Sequence, residues 1–201
     1  MVRNRRVATR MGVALTVGVL AASIGWAASP QFRGGALEPP RPAPEIVLSA
    51  HDGSDFRLSR HRGDVVAIAF GYTFCPDVCP TTLAELAQVR ARLGQAATRL
   101  RVVFVTVDPE RDGPARLRAY THAFDRTFIG LTGSPDQLAA VQKSYGVIAK
   151  KQSVRGTSAA YLVDHSAFVY VVDAEGRLRL MFPFGTSVDD MTHDIGLLLR
   201  R

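Results

Sequence analysis

The chain has 201 residues, 47% of them hydrophobic and 21% charged, with 17 Gly and 11 Pro, which excludes a disordered, collagen-like or low-complexity protein. Its formal charge is +7, but Arg3, Arg5, Arg6 and Arg10 supply +4 of it and the other 191 residues only +3. A basic excess confined to an N-terminal arm argues against nucleic-acid binding, which needs positive charge spread over one face of a folded domain.

Behind the arm (residues 1–10), Met11 to Phe32 is an uncharged run of 22 residues rich in Ala, Val, Leu and Gly. As a helix it would span roughly 33 Å, enough for a hydrocarbon core of about 30 Å. Four arginines before it, with no cluster of Lys or Arg close after it, orient its N-terminus inside, so that everything beyond Phe32 lies outside the cytoplasm. A cleaved secretory signal shares this pattern, and the Ala-rich stretch near Gly25 to Ser29 offers weak cleavage sites. A retained anchor is the preferred reading, and the absence of Cys here excludes a lipoprotein anchor. Residues 33–44, with Gly34, Gly35, Pro39, Pro40, Pro42 and Pro44, read as a semi-extended spacer, and the globular domain as 45–201.

Ile46 to Ala50 and Phe56 to Leu58, around a turn at Asp52 and Gly53, predict a first hairpin. Asp64 to Tyr72 is a nearly continuous apolar run, as expected for a central strand covered on both faces. Leu83, Leu86, Ala87 and Leu93 recur at helical spacing over Pro80 to Leu93, and Gly94 closes the segment. Arg101 to Val107 then reads as a buried strand, Gly113 to Phe124 as a helix and Phe128 to Leu131 as a short strand. Ser134 and Pro135 open a helix that ends near Tyr145 and Gly146. Ile148 to Ala160 is a polar insert; Phe168 to Asp173 and Arg177 to Phe182 form a hairpin, and Ser187 to Leu199 is a closing helix. This alternation predicts an α/β layer fold with a mixed sheet.

The only cysteines, Cys75 and Cys79, lie between the central strand and the next helix, where open α/β sheets bind their ligands. With Pro80 at the first helical position, Cys79 would be the N-cap and the helix dipole would lower its thiol pKa. The Cys-x-x-x-Cys spacing is compatible with a structural disulfide, with thiol exchange, or with a metal between two sulfurs. Two thiolates and one imidazole suit copper as Cu(I) or Cu(II), whereas structural zinc needs a fourth ligand. Among the histidines, His51, His61, His122 and His193 occupy ordinary solvated positions, while His165 stands at the mouth of an apolar strand.

Three segments, Tyr72-Thr73-Phe74-Cys75-Pro76-Asp77-Val78-Cys79-Pro80, Val105-Thr106-Val107-Asp108-Pro109-Glu110-Arg111-Asp112 and Tyr161-Leu162-Val163-Asp164-His165-Ser166, resemble the Sco/SenC family of membrane-anchored copper chaperones in order and spacing over roughly Pro44 to Leu199. The resemblance implies a thioredoxin-like mixed sheet flanked by helices, behind an N-terminal transmembrane helix. It also implies copper delivery to the CuA centre of the copper-bearing subunit of cytochrome c oxidase, with Cys75, Cys79 and His165 as metal ligands. Asp77 and Asp108 match acidic positions of the motifs; Asp108 also suits a turn before Pro109. The resemblance supports single-pass attachment to a bacterial inner membrane with the domain on the periplasmic side, partners that donate copper or reduce thiols, and a metallochaperone rather than an enzyme. A thiol:disulfide oxidoreductase that keeps the CuA cysteines reduced, using Cys75 and Cys79 as its redox pair, is the competing reading, and a copper-responsive sensor a third.

Overall fold

A computed structural model describes residues 31–152, 161–165 and 167–200, with only the backbone of Leu162, Asp164 and His165. The basic arm and the expected anchor therefore lie outside the described residues, apart from Gln31 and Phe32, and no helix among the described residues is long and apolar enough to cross a membrane.

The sheet is built around β4 (Val65–Gly71), whose seven residues are all buried, and β5 (Leu100–Thr106). The two pair in parallel, and β6 (Ile129–Thr132) adds in parallel beyond β5. On the other side of β4, the hairpin β9 (Phe168–Val172) and β10 (Arg177–Pro183) adds antiparallel strands. Beyond β6 lies the first hairpin, β2 (Val47–Ala50) and β3 (Asp55–Arg57). With β1 (Gly35–Pro42), the order is β1-β10-β9-β4-β5-β6-β2-β3, a thioredoxin-like mixed sheet with helices packed against it.

The helices form where caps and apolar spacing demand. In α3 (Pro135–Tyr145) the Gln137 N–H donates to Ser134 Oγ at 3.2 Å while Gln137 Oε1 accepts from the Ser134 N–H at 2.9 Å, a complete capping box. Gly146 ends it with φ of 69°, the left-handed conformation that favours glycine. Ser187 caps α4 (Val188–Leu199) through the Asp190 N–H at 3.1 Å, and α4 packs on α1 (Val78–Leu93) through its apolar face. In α2 (Pro114–His122), Leu117 lies against Gly130 of β6, where a Cβ at residue 130 would come within 2.9 Å of it. That close approach requires the glycine.

Two segments differ from the sequence expectation. Where a spacer was expected at 33–44, Gly35–Pro42 is an edge strand antiparallel to β10, and Phe32 and Leu37 pack against the core. Asp194 of α4, fully buried, anchors its start: both carboxylate oxygens accept from the Arg33 N–H, at 2.9 and 3.0 Å, and one accepts from Gly34 N–H at 2.7 Å. The expected polar insert supplies β7 (Ala149–Gln152), which pairs with β8 (Leu162–His165) in a separate two-stranded ribbon. Replacing Asp194 by alanine strands two backbone donors of a docked segment. We expect a loss of about 2–3 kcal/mol, the range for hydrogen bonds to a charged acceptor, measured by urea unfolding and accompanied by faster proteolysis within 31–42.

Candidate functional site

The loop after β4 leads into both cysteines. The Cys75 N–H donates to the Tyr72 carbonyl at 3.2 Å, turning the chain, and α1 begins at Val78 with Asp77 as N-cap. Cys79 is therefore the second helical residue rather than the N-cap, and Pro80 the third, still within the first turn where its missing N–H costs nothing. The Asp77 side chain makes no capping bond. Instead the Cys79 N–H donates to Cys75 Sγ at 3.4 Å, so the sulfur that meets the helix N-terminus belongs to Cys75.

The two thiols are unlike. Both are reduced; Cys75 is half-buried, and Cys79 is 3% exposed. The hydrogen bond with Cys75 first, and then burial, push the Cys79 thiol pKa well above its ordinary value, which corrects the expected lowering. Its sulfur sits beside Gly71 at the end of β4, where a Cβ would lie 2.7 Å from Cys79 Sγ and 2.8 Å from the Phe104 ring. A Gly71→Ala variant should cost about 1–3 kcal/mol through overpacking. It should also push the Cys79 side chain outward, read as faster alkylation of that thiol.

A buried polar frame holds the loop from below. Asp112 is fully buried; it accepts from the Thr73 N–H at 3.0 Å, from Thr73 Oγ1 at 2.6 Å and from Thr106 Oγ1 at 2.7 Å. Arg116 Nε donates to Thr73 Oγ1 at 2.6 Å, and its guanidinium lies 3.9 Å from the Phe74 ring centre.

The same frame reaches the strand that carries His165. Arg111 Nε donates to Asp108 Oδ2 at 2.5 Å and its Nη1 to the Tyr161 carbonyl at 3.1 Å. Its guanidinium stacks 3.7 Å from the Tyr161 ring and 4.7 Å from that of Phe74. The Tyr161 hydroxyl donates to Asp108 Oδ1 at 2.7 Å, and the Tyr72 phenol is hydrogen-bonded to the backbone of Val163. Asp108, fully buried, is thus more than a turn former. His165 is the last residue of β8, paired in register with Ala149, and its side chain lies outside the described residues. Among the described residues no three His, Cys, Asp or Glu side chains converge on a metal-sized space.

The other histidines lie elsewhere. His61 stacks on Phe56 and faces Asp64, His193 Nδ1 is 2.8 Å from Asp194, and His51 and His122 meet beyond β6. The sequence singled out Asp77 and Asp108, but not the holding roles of Thr73, Gly71, Asp112, Arg111 and Arg116. Of these, Arg111 and Asp112 stand in the second motif, the one signal that could have drawn attention to them.

A family model for SCO1/SenC matches residues 37–200, which include all three motif segments. The chain belongs to the SCO1/SenC family. A SCO2-like protein of Rickettsia conorii is 34% identical to this Sco chain over 147 residues, covering 73% of it and 72% of the relative. Among solved structures, the apo Sco1 protein of Thermus thermophilus is 40% identical with a TM-score of 0.75, over 85% of this chain and 99% of that one. ScoI of Bradyrhizobium japonicum, solved with copper bound, is 35% identical with a TM-score of 0.70, over 78% of this chain and 98% of that one.

Proposed function

We propose that this Sco protein is a metallochaperone whose cargo is one copper ion, held by the thiolates of Cys75 and Cys79 and the imidazole of His165 and passed to the CuA centre of cytochrome c oxidase. The carrying observation is the pair of reduced thiols in contact at the start of α1, with a relative of 35% identity solved with copper bound. Two adjacent soft sulfurs fit Cu(I), and one added imidazole completes a three-coordinate site that also accepts Cu(II). The half-buried Cys75 offers the exposed sulfur from which the thiolates of an acceptor can take the ion by ligand exchange. Residues 11–32 would tether the domain to the outer face of a bacterial inner membrane as a single span, with the basic arm in the cytoplasm.

Because the Cys79 thiol is held protonated, copper uptake displaces a proton there. The apparent affinity is expected to rise about tenfold per pH unit for each thiol proton displaced, and calorimetry in buffers of different ionisation heat counts those protons. The deciding test titrates copper into the full chain in a non-ionic detergent, reduced and oxidised. The reduced protein should take up one equivalent with a sulfur-to-Cu(II) absorption band; the disulfide form should take up none, both sulfur donors being consumed. Equal uptake by both forms refutes the thiolate site. A thiol:disulfide oxidoreductase acting on the CuA cysteines is the second reading, favoured by the asymmetry between a half-buried Cys75 and a buried Cys79, the pattern of an attacking and a resolving thiol.

A further inference from the structure

At the opposite end of the sheet from the cysteine loop lies an open groove of about 580 Å³, lined by His51, Arg60, Arg118, His122, Arg126 and Phe128. The cysteine loop follows the C-terminal end of β4, whereas the groove surrounds the N-terminal end of β6, which runs in the same direction. Arg118 and His122 stand one turn apart on α2, Arg126 follows in the α2–β6 loop, and His51 begins the β2–β3 turn.

The histidine pair looks at first like a metal site, since the rings lie 4.9 Å apart at 88°. One hydrogen bond decides against it. The Gly130 backbone N–H donates to His51 Nδ1 at 2.9 Å, and a backbone amide can only donate, so Nδ1 holds the lone pair and the ring proton sits on Nε2. A metal-ligating histidine has the reverse polarity, its second nitrogen donating outward. His51 therefore presents a fixed N–H donor, the requirement for an anion rather than a cation.

The surrounding charge agrees. Arg90, Arg92, Arg101, Arg111 and Arg177 all face a carboxylate. By contrast Arg60, Arg118 and Arg126 make no hydrogen bond or ion pair among the described residues. The groove's two acids, Asp52 and Asp55, form no ion pair with them and offset only two of the three positive charges: Asp52 turns to the Ser54 N–H at 3.0 Å and its hydroxyl at 2.6 Å, and Asp55 is exposed on β3.

We propose that this groove binds a phosphate-type oxyanion, held by the guanidinium groups of Arg60, Arg118 and Arg126 with His51 Nε2–H as a fixed donor. Planar, permanently charged forks suit tetrahedral oxyanions, and the volume leaves room for an organic group on the phosphate. A free phosphate ester and a phospholipid headgroup share this chemistry.

The test uses the full chain in non-ionic detergent, metal-free, reduced and isotope-labelled, titrated with inorganic phosphate against sodium chloride at matched ionic strength. Phosphate should give saturable shifts of the Gly130 amide and of the His51 and His122 ring resonances. It should also raise the His51 pKa, which burial and then the neighbouring His122 and Arg118 hold down against the pull of Asp52. The same resonances in nanodiscs of phosphatidylcholine with and without phosphatidylglycerol identify a lipid source. Both substituted residues are exposed, so an Arg118→Glu/Arg126→Glu variant should keep its thermal midpoint yet lose affinity about tenfold or more per guanidinium. Saturable binding of either source that this variant abolishes supports the site. Responses equal to those of chloride, absence of binding in both arms, or undiminished binding by the variant overturn it.

Discussion

His165→Ala is expected to leave the domain folded and to weaken copper binding by about 100-fold or more, with loss of the sulfur-to-Cu(II) band. The residue ends β8, where its backbone pairs with Ala149, and alanine keeps that pairing. What is lost, on the proposed ligand set, is a donor. Two sulfurs alone still suit Cu(I), so weakening should be most severe for Cu(II), which needs the imidazole for a third strong bond. Replacing groups that only support metal ligands costs about 10–100-fold, so removal of a ligand itself should match or exceed that range. Competition against a chelator of known affinity, run for each valence with unfolding curves as the control, reads the effect. A variant that binds both valences as tightly as the wild type, while reducing disulfides as fast, would remove the metallochaperone reading and leave the exchange reading in place.

Asp112→Ala should be the most destabilising single change near the site, by about 3–5 kcal/mol. The carboxylate is fully buried and accepts three hydrogen bonds, from Thr73 N–H, Thr73 Oγ1 and Thr106 Oγ1. Alanine leaves all three donors short of a partner in a place water does not reach, and it frees the Thr73 hydroxyl, to which Arg116 Nε donates, from the carboxylate that orients it. Thr73 lies two residues before Cys75, so the variant should also loosen the loop, seen as faster alkylation of both thiols and weaker copper binding. A double-mutant cycle with Thr73→Val isolates the pair; additivity of the two losses would show that Asp112 does not hold the loop through Thr73.

Why these dependencies were not legible in the sequence is a matter of distance along the chain. The strands β4, β5, β9 and β10 and the helices α2, α3 and α4 were readable because their signals are local: unbroken apolar runs, Ser caps, a Gly at a helix end. The cysteines could be placed in a strand-to-helix loop on the same grounds. Asp112 and Thr73, however, meet across 39 residues, and no periodicity reports that. The Cys79 thiol pKa runs opposite to the sequence expectation for a related reason. A helix start two residues earlier turned the thiol inward and gave the dipole-facing position to Cys75. The ribbon β7–β8 stayed hidden because Lys150, Lys151 and Gln152 are exposed, so the strand lacks the one-sided apolar alternation that marks a half-buried strand. In the proline-rich segment, the missing N–H groups suggested a spacer, yet an outermost strand needs donors on one side only.

That outermost strand bears on how this protein meets others. Pro39, Pro40 and Pro42 leave β1 without a backbone donor at three positions, and its pairing with β10 shifts register between Ala36 and Arg41. At the far rim β3 is three residues long and exposes Asp55 and Arg57. Short, charged or proline-bearing borders of this kind discourage a second chain from zipping on as an extra strand. With both borders of the main sheet unfavourable to that mode, contact with other molecules falls more to loops, side chains and the β7–β8 ribbon. A scaffold whose main sheet resists strand addition can be crowded without joining its neighbours.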